Sequence, residues 1–366
     1  MARRHAGYPA MEVRLDVIRS NARVILDLCR GHGIEPAAVV KGFNAIPQIM
    51  DVLVGEGYRC LASSRIGHLA KARARGYPVA TMGLRIPMRS ELADVAQYCD
   101  VILNSDLGTV RLLDDEARRA GKVQKIVFMR DLGDLREGVF DSEQFVERAV
   151  FAAKDFANIE LVGIGANLGC YGSVKPTVKN MQELARNASE IERATGRKLG
   201  MVSGGASTSL PMVARGQMPR EINHLRVGAA IMHRREIYGI EEGELAELSD
   251  KSLVLSAEVI EAGEKPTHPV GERLLDCFGN VAVYEDRGVR RRVLLAIGAY
   301  DVGNCQKLDP LDEGVRILGC SSDHMIVDVH DSRREYRAGD VMSFGLMYQS
   351  MLFATSNDMI RKNFTR

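Results

Sequence analysis

The chain has 366 residues, with 46% hydrophobic and 27% charged side chains. That length exceeds one ordinary core and points to two domains, or to a large barrel with a smaller companion. Its 49 basic and 48 acidic side chains leave a formal net charge of +1, so no net field draws phosphates in and nucleic-acid binding is excluded as the main activity. No apolar run approaches the ~18 residues of a membrane helix, and the first residues lack the apolar stretch of a secretory signal. The seven cysteines, at 29, 60, 99, 170, 277, 305 and 320, are odd in number and contain no Cys-x-x-Cys. That pattern fits reduced thiols in a cytoplasmic protein rather than a disulfide frame or a metal site.

In chain order, short branched apolar runs stand at Ala37–Lys41, Tyr58–Ser63, Val79–Leu84, Asp100–Asn104, Lys125–Asp131, Ile159–Asn167, Leu199–Gly204 and Asn223–Val227. Stretches with apolar residues at helical spacing lie between them, as at Ile46–Val54, Leu107–Ala120, Ser142–Ala157 and Thr177–Thr195. Strands alternating with helices pair in parallel through crossovers. Eight such units are the count that closes a (β/α)8 barrel of the TIM type; an open doubly wound sheet is the alternative. Past Glu241-Glu242-Gly243 the rhythm changes to strand-like pieces at Ser252–Glu261, Val281–Tyr284, Arg291–Gly298, Val315–Leu318, Met325–His330 and Val341–Tyr348. The expected organisation is therefore a barrel over residues 1–245 and a C-terminal all-β domain over 246–366.

Functional groups of a parallel barrel gather where its strands end. Lys41 closes the first run, and a desolvated lysine has a lowered pKa and attacks carbonyls; the bland alternative is a lysine snorkelling to the rim. The Gly- and Ser-rich segment Ser203–Ser209 opens a short helix, and Gly228-Ala229 makes a second small-residue turn. Loops after the seventh and eighth strands are the usual phosphate seat of such barrels. A phosphate anchor facing a Schiff-base lysine describes a pyridoxal phosphate pocket. Arg226 lies two residues before Gly228. Because arginine keeps its proton, an Arg226 bonded to the pyridine nitrogen would leave that nitrogen unprotonated and the ring a weak electron sink, which suits reprotonation at Cα and suppresses transamination.

With these residues placed, the sequence resembles the fold-type III pyridoxal phosphate enzymes of the alanine racemase type, and within them the alanine/ornithine racemase group. The resemblance runs nearly end to end. It is carried by Asp131–Gly138, Gly169–Gly172, Ser203-Gly204-Gly205, Asn223–Gly228, Asp276–Asn280 and Gly319–His324. It implies an amino acid racemase that exchanges the Cα proton between two bases, acting on ornithine, alanine or another basic or small amino acid as a homodimer with shared active sites. It implies that Lys41 holds pyridoxal 5'-phosphate covalently and serves as one base, and that Arg226 faces the pyridine nitrogen. Gly205, Ala206, Ser207, Gly228 and Ala229 match the phosphate cradle, and Tyr348 a tyrosine that reaches the phosphate. Asn167 stands where alanine racemases have a histidine against the ring. Arg136 matches the arginine that holds the substrate carboxylate, with Ser322 as a further substrate contact.

Two departures are visible. A lysine that helps orient the carboxylate-binding arginine is replaced by Met129, so Arg136 is expected to be fixed by Asp131 or Asp134. The tyrosine that follows Ile-Gly in alanine racemases is displaced by one residue in Ile297-Gly298-Ala299-Tyr300. In an extended strand that turns it to the opposite face, so Asp323 and then Cys320 are expected as second base ahead of Tyr300. For a cationic substrate side chain, Asp134, Glu137 and Asp276 are the available carboxylates. Two other readings are a fold-type III decarboxylase, for which Cys320-Ser321-Ser322-Asp323 has a suggestive spacing, and a non-catalytic pyridoxal phosphate carrier, against which residues 250–366 argue.

Overall fold

The computed structural model describes residues 7–237, 240–241 and 243–366. The chain opens with β1 (Ala10–Arg14) and α1 (Leu15–Gly31). Eight strands follow: β2 (Glu35–Val39), β3 (Cys60–Ser63), β4 (Ala80–Gly83), β5 (Val101–Asn104), β6 (Gln124–Arg130), β7 (Ile159–Ala166), β8 (Met201–Ala206) and β9 (His224–Val227). They form a closed barrel in that order, every pair parallel, with β9 returning to β2 through Glu35 opposite His224 and Ala38 opposite Val227. Each expected apolar run therefore holds a barrel strand, and the open sheet is excluded.

The crossovers carry α2 (Pro47–Gly55), α3 (Ile66–Ala74), α4 (Leu92–Tyr98), α5 (Leu107–Arg119), α6 (Ser142–Lys154), α7 (Val178–Thr195) and α8 (Leu210–Ala214), and α9 (Ala229–Met232) follows β9. Their starts follow from local chemistry. Asp106, Asp141 and Thr177 each accept a backbone N–H of the first turn of α5, α6 and α7, satisfying donors that a helix start leaves unpaired. Pro47 sits in the first turn of α2, where its missing N–H costs nothing. The layer between strands and helices is built from Phe128, Phe145, Ile126, Ile164, Leu184 and their neighbours. A smaller cluster inside the barrel joins Ala37, Val39, Met82, Val127 and Met129.

Cα packing divides the chain into Ile18–Ser249 and a second unit made of the chain up to Val17 together with Asp250–Arg366. Residues 7–17, expected with the barrel, cluster with the second unit because β1 pairs antiparallel with β10 (Leu253–Pro266), Met11 opposite Leu255. The second unit continues with β11 (Val289–Leu295), α10 (Ala299–Val302), β12 (Leu308–Pro310), β13 (Arg316–Cys320), β14 (Met325–Asp328), β15 (Val341–Leu346), α11 (Tyr348–Ser356) and β16 (Arg361–Thr365). Its sheet runs β12-β15-β10-β11-β14-β13, with β1 added at β10 and β16 pairing in parallel with β1. Val281–Tyr284, expected as a strand, carries no regular structure, and Val281 and Val283 are 79% and 92% exposed. Its apolar side chains find no face to bury against, which is what a strand of this composition requires. Among the described residues no helix is long and apolar enough to cross a membrane.

Phe128 on β6 is fully buried against Phe145 of α6, their ring centroids 6.0 Å apart. Phe128→Ala removes that contact from the barrel layer and is expected to cost about 3–5 kcal/mol, read as a lowered denaturation midpoint with an unchanged slope.

Candidate active site

Lys41 lies just beyond β2, in a 3₁₀ turn over Val40–Phe43, rather than in the strand itself. Asn44 and Ala45 follow with φ of 52° and 48°, a conformation that non-glycine residues adopt only when held. The holding groups are visible. Asn44 and Ala45 donate their amides to the Lys41 and Val40 carbonyls. Asn44 Oδ1 lies 3.0 Å from His68 Nε2, and His68 Nδ1 lies 3.0 Å from Ser63 Oγ at the end of β3. An amide oxygen only accepts, so His68 donates from Nε2 and accepts at Nδ1. Burial pushes His68 down to about 4, which keeps that neutral tautomer. The Lys41 ammonium has no hydrogen bond or ion pair among the described residues. Desolvation, then the charge of Arg136 and lastly that of Arg226, lower its pKa, while Cys170 and Glu137 oppose the shift.

Arg226 on β9 is buried inside the barrel. Its Nη2 donates to the Ala166 carbonyl at the end of β7 over 2.7 Å, and its Nη1 donates to Ser203 Oγ on β8. Ser203 Oγ also lies 2.8 Å from His224 Nδ1. Ser203 Oγ thus joins the arginine to the imidazole, accepting from the guanidinium while in hydrogen-bond contact with the ring. Burial and the nearby Arg226 charge hold His224 down to about 3, and burial brings Arg226 down to about 10. The two bonds leave the remaining guanidinium N–H groups without a partner among the described residues.

The turns after β8 and β9 meet at Ser207, whose Oγ accepts the Gly228 amide over 3.3 Å and the Ala230 amide over 3.2 Å. Gly205 and Ala206 end β8, and Gly228 and Ala229 follow β9, so these small residues line one edge. A Cβ at Gly228 would stand 2.9 Å from Val39 Cβ and 3.1 Å from its carbonyl oxygen. Glycine there lets the turn press against the end of β2, two residues from Lys41.

Arg136 stands in the loop after β6, and its charge acts on both Lys41 and Arg226. Its Nε and Nη2 both donate to the Glu137 carboxylate, and its Nη1 donates to Cys170 Sγ over 2.8 Å. Burial works against its charge, but Glu137 and Cys170 outweigh that and raise its pKa. Asp131 and Asp134, expected to fix this arginine, do not touch it. Asp131 accepts the amides of Gly133 and Leu135. Asp134 accepts the amides of Cys170, Tyr171 and Val174 and, at 3.4 Å, Asn167 Nδ2. Both carboxylates are consumed in shaping loops, because each sits where several backbone N–H groups converge. Asp276 likewise accepts the amides of Phe278 and Asn280 in its own turn.

The second unit gathers the other expected residues. Ala299 and Tyr300 donate their amides to the Ser321 and Ser322 carbonyls over 2.9 and 3.0 Å, and Ser322 Oγ donates to Asp323 Oδ2 over 2.5 Å. Tyr300, Cys320, Ser322 and Asp323 thus share one loop cluster. Tyr300 falls in α10, a single helical turn, so strand alternation does not govern where it points; it is 69% exposed. Cys320 is drawn down to about 7 by a hydrogen bond from the Cys305 thiol, with the Ala299 amide adding to it. Tyr348 heads α11 in the same unit. Sequence reasoning missed His224, Ser203, Cys305 and the Arg136–Glu137 pairing. Only strand periodicity could have exposed two of them: Ser203 and His224 are register partners across β8 and β9.

His224 generates a pH prediction. Above pH 6.5, its ordinary value, the folded and unfolded forms are both neutral. Below it the unfolded chain takes up a proton that the folded chain refuses until about pH 3, so stability falls as pH falls across that window. The loss at pH 5 is expected to be about 2 kcal/mol. Urea titrations at pH 7 and pH 5 check it, and His224→Gln, which cannot titrate, flattens the difference.

The chain matches the model of the alanine racemase N-terminal domain over residues 13–235. It is 38% identical to an ornithine racemase of Acetoanaerobium sticklandii, across 97% of this chain and 99% of that protein. A lysine racemase of Thermotoga maritima is 35% identical over 97% of this chain and 98% of its own length. Among solved structures, an alanine racemase of Clostridium difficile superposes with a TM-score of 0.73 at 15% identity, covering 99% of this chain and 97% of that one. The alanine racemase of a D-cycloserine-producing Streptomyces lavendulae reaches 0.74 at 16% identity, covering 99% and 98%. The barrel, the antiparallel second unit and these relatives agree: the chain belongs to the alanine racemase family and is an amino acid racemase.

Proposed function

We propose that this racemase uses pyridoxal phosphate and interconverts the enantiomers of a basic amino acid of the ornithine or lysine class. The observation that carries the reading is the barrel mouth itself. Among the described residues Lys41 has no hydrogen-bond partner and Arg226 keeps N–H groups to spare, and the small-residue edge at Gly205, Ala206, Gly228 and Ala229 follows the same strand ends. The choice of a basic substrate rests on what the two relatives at 38% and 35% identity are named for.

These residues fit the cofactor on chemical grounds. Lys41 would hold it covalently, since a desolvated amine is a good carbonyl nucleophile. The turns around Ser207 and Gly228 would seat the phosphate, with Asn167 and Arg226 on the ring. When bound, pyridoxal phosphate withdraws electrons from Cα and makes its hydrogen acidic. Arg226 remains a donor throughout, so a ring nitrogen facing it stays unprotonated and the electron demand stays moderate. Arg136 orients the substrate by its carboxylate. Lys41 takes or returns the Cα proton on one face, and its lowered pKa brings a neutral amine within reach of working pH.

The second face needs its own base. We assign it to the cluster of Tyr300, Cys320 and Asp323, with Ser322 as a substrate contact and Tyr348 as a phosphate ligand, all supplied by the partner chain of a homodimer. Within that cluster the hydrogen bond from the Cys305 thiol draws the Cys320 pKa down, which favours its thiolate as a base. The free cysteines are consistent with a reducing, cytoplasmic setting.

The test is twofold. Borohydride treatment of the cofactor-loaded protein is expected to fix the cofactor to Lys41, read by peptide mass, and labelling of a different lysine would overturn the site. A panel of L-amino acids followed by chiral chromatography is expected to give D-ornithine or D-lysine in preference to D-alanine. In deuterium oxide, replacing the second base removes exchange from one enantiomer only. Comparing Tyr300→Phe, Cys320→Ala and Asp323→Asn identifies it, and a loss in both directions for all three would move it elsewhere.

A further inference from the structure

We propose that Glu137 is the positioning residue of the substrate carboxylate site, locking the Arg136 guanidinium so that one of its two fork edges stays open to a carboxylate. The inference rests on the reading above in which Arg136 receives the substrate.

A guanidinium presents two edges for bidentate pairing. Glu137 takes the edge formed by Nε and Nη2, one carboxylate oxygen on each. The edge formed by Nη1 and Nη2 is left, and its Nη1 also touches Cys170 Sγ. Each Glu137 oxygen is therefore engaged by one N–H of the arginine. The Glu137 side chain is only 14% exposed and that of Arg136 34%, which separates this pair from the exposed ion pairs that contribute little.

Adjacent residues do not ordinarily face one another, so the backbone must turn to allow this. Leu135 has φ 56° and Gly138 φ 127° on either side of the pair. A Cβ at Gly138 would stand 2.5 Å from the Asp131 nitrogen and 2.6 Å from the Arg130 carbonyl carbon, so only glycine lets the loop fold back onto the end of β6. Asp131 then donates its amide to the Val139 carbonyl over 3.1 Å, and Val139 donates to Met129 over 3.0 Å. Met129 occupies the position where the family resemblance calls for a lysine that helps orient the arginine. The loop supplies the carboxylate from the residue next door instead. Glu137 also opposes the downward shifts of Lys41 and Arg226, as expected of an anion inside the mouth.

The experiment uses the holoenzyme with Glu137→Gln, Glu137→Ala, Arg136→Ala and the Arg136→Ala/Glu137→Ala double variant. Cofactor absorbance and thermal unfolding establish that each is folded and loaded; Glu137→Gln, which keeps the size and one acceptor, serves if the alanine variant is not. KM is expected to rise roughly ten- to hundred-fold in Glu137→Ala, for cationic and neutral amino acids alike, because misorientation of a clamp carries that cost. The rise in Glu137→Gln is expected to be smaller, and the double variant no worse than Arg136→Ala, since residues acting through one another are not additive. Binding of propionate, a carboxylate with no amino group, is expected to weaken in parallel by calorimetry. An unchanged KM, a rise confined to cationic substrates, or additive losses in the double variant would overturn the inference, as would a wild type that binds neither propionate nor amino acid. A wild type that binds propionate, loses it on Glu137→Ala, and racemises nothing leaves Glu137 in its role and overturns the racemase reading instead.

Discussion

The constraint on which this site depends is the crowding of three cations into one barrel mouth. The charges of Arg136 and Arg226 press on Lys41 and that of Arg136 on Arg226, and burial is the largest force acting on Lys41 and Arg226. Like charges in a poorly solvated space disfavour the charged form. Lysine yields to that pressure and arginine resists it, because guanidinium holds its proton under far stronger perturbation. The same field therefore does two jobs. Under the proposed function it would make Lys41 a base and leave Arg226 a fixed donor. A lysine in place of Arg226 would share the proton loss and blur that division.

Such a field has to be built on a scaffold that does not relax away from it. The barrel provides that through strand ends rather than strand centres. Lys41 follows β2, Arg136 follows β6, and Arg226 lies on β9 with its guanidinium tied to β7 and β8. Because β9 pairs with β2, the last strand brings its arginine beside the first strand's lysine, and closure of the barrel is itself a functional requirement. The local turns are fixed by polar groups behind them: Ser63, His68 and Asn44 behind the lysine, Ser203 and His224 behind the buried arginine. Both histidines are neutral relays, which adds no further positive charge to a region already rich in it.

Much of this was legible in the sequence, and the rest was not for identifiable reasons. Every barrel strand announced itself as a buried parallel strand does, by a continuous branched apolar run bounded by turns. Lys41 and Arg226 were legible because each sits at or beside the end of such a run. β1 was not, since five residues that pair with a strand some 240 positions later carry no local sign of that partner. Val281–Tyr284 misled because branched composition marks a strand only where there is a face to bury against. Asp131 and Asp134 were reasonable partners for Arg136 by proximity. Sequence distance could not reveal that converging amides would claim both carboxylates, nor that two left-handed residues would turn Glu137 back onto its neighbour.

The charge balance also bears on which amino acids such a mouth tolerates. Under the proposed function a substrate would bring one carboxylate to Arg136, and a basic substrate a side-chain cation as well. Near Lys41 and Arg226 that cation would meet the same repulsion that lowers the lysine's own pKa. Coulomb energy falls with distance and with solvent access, so a cation at the end of three or four methylenes escapes most of it, while one a single methylene from Cα does not. Length and charge of the side chain are thus coupled by the electrostatics of the mouth. The apolar stem is free to pack as the ammonium reaches outward, and a long basic side chain satisfies the field by standing away from it, with no dedicated acidic partner required near the reacting carbon.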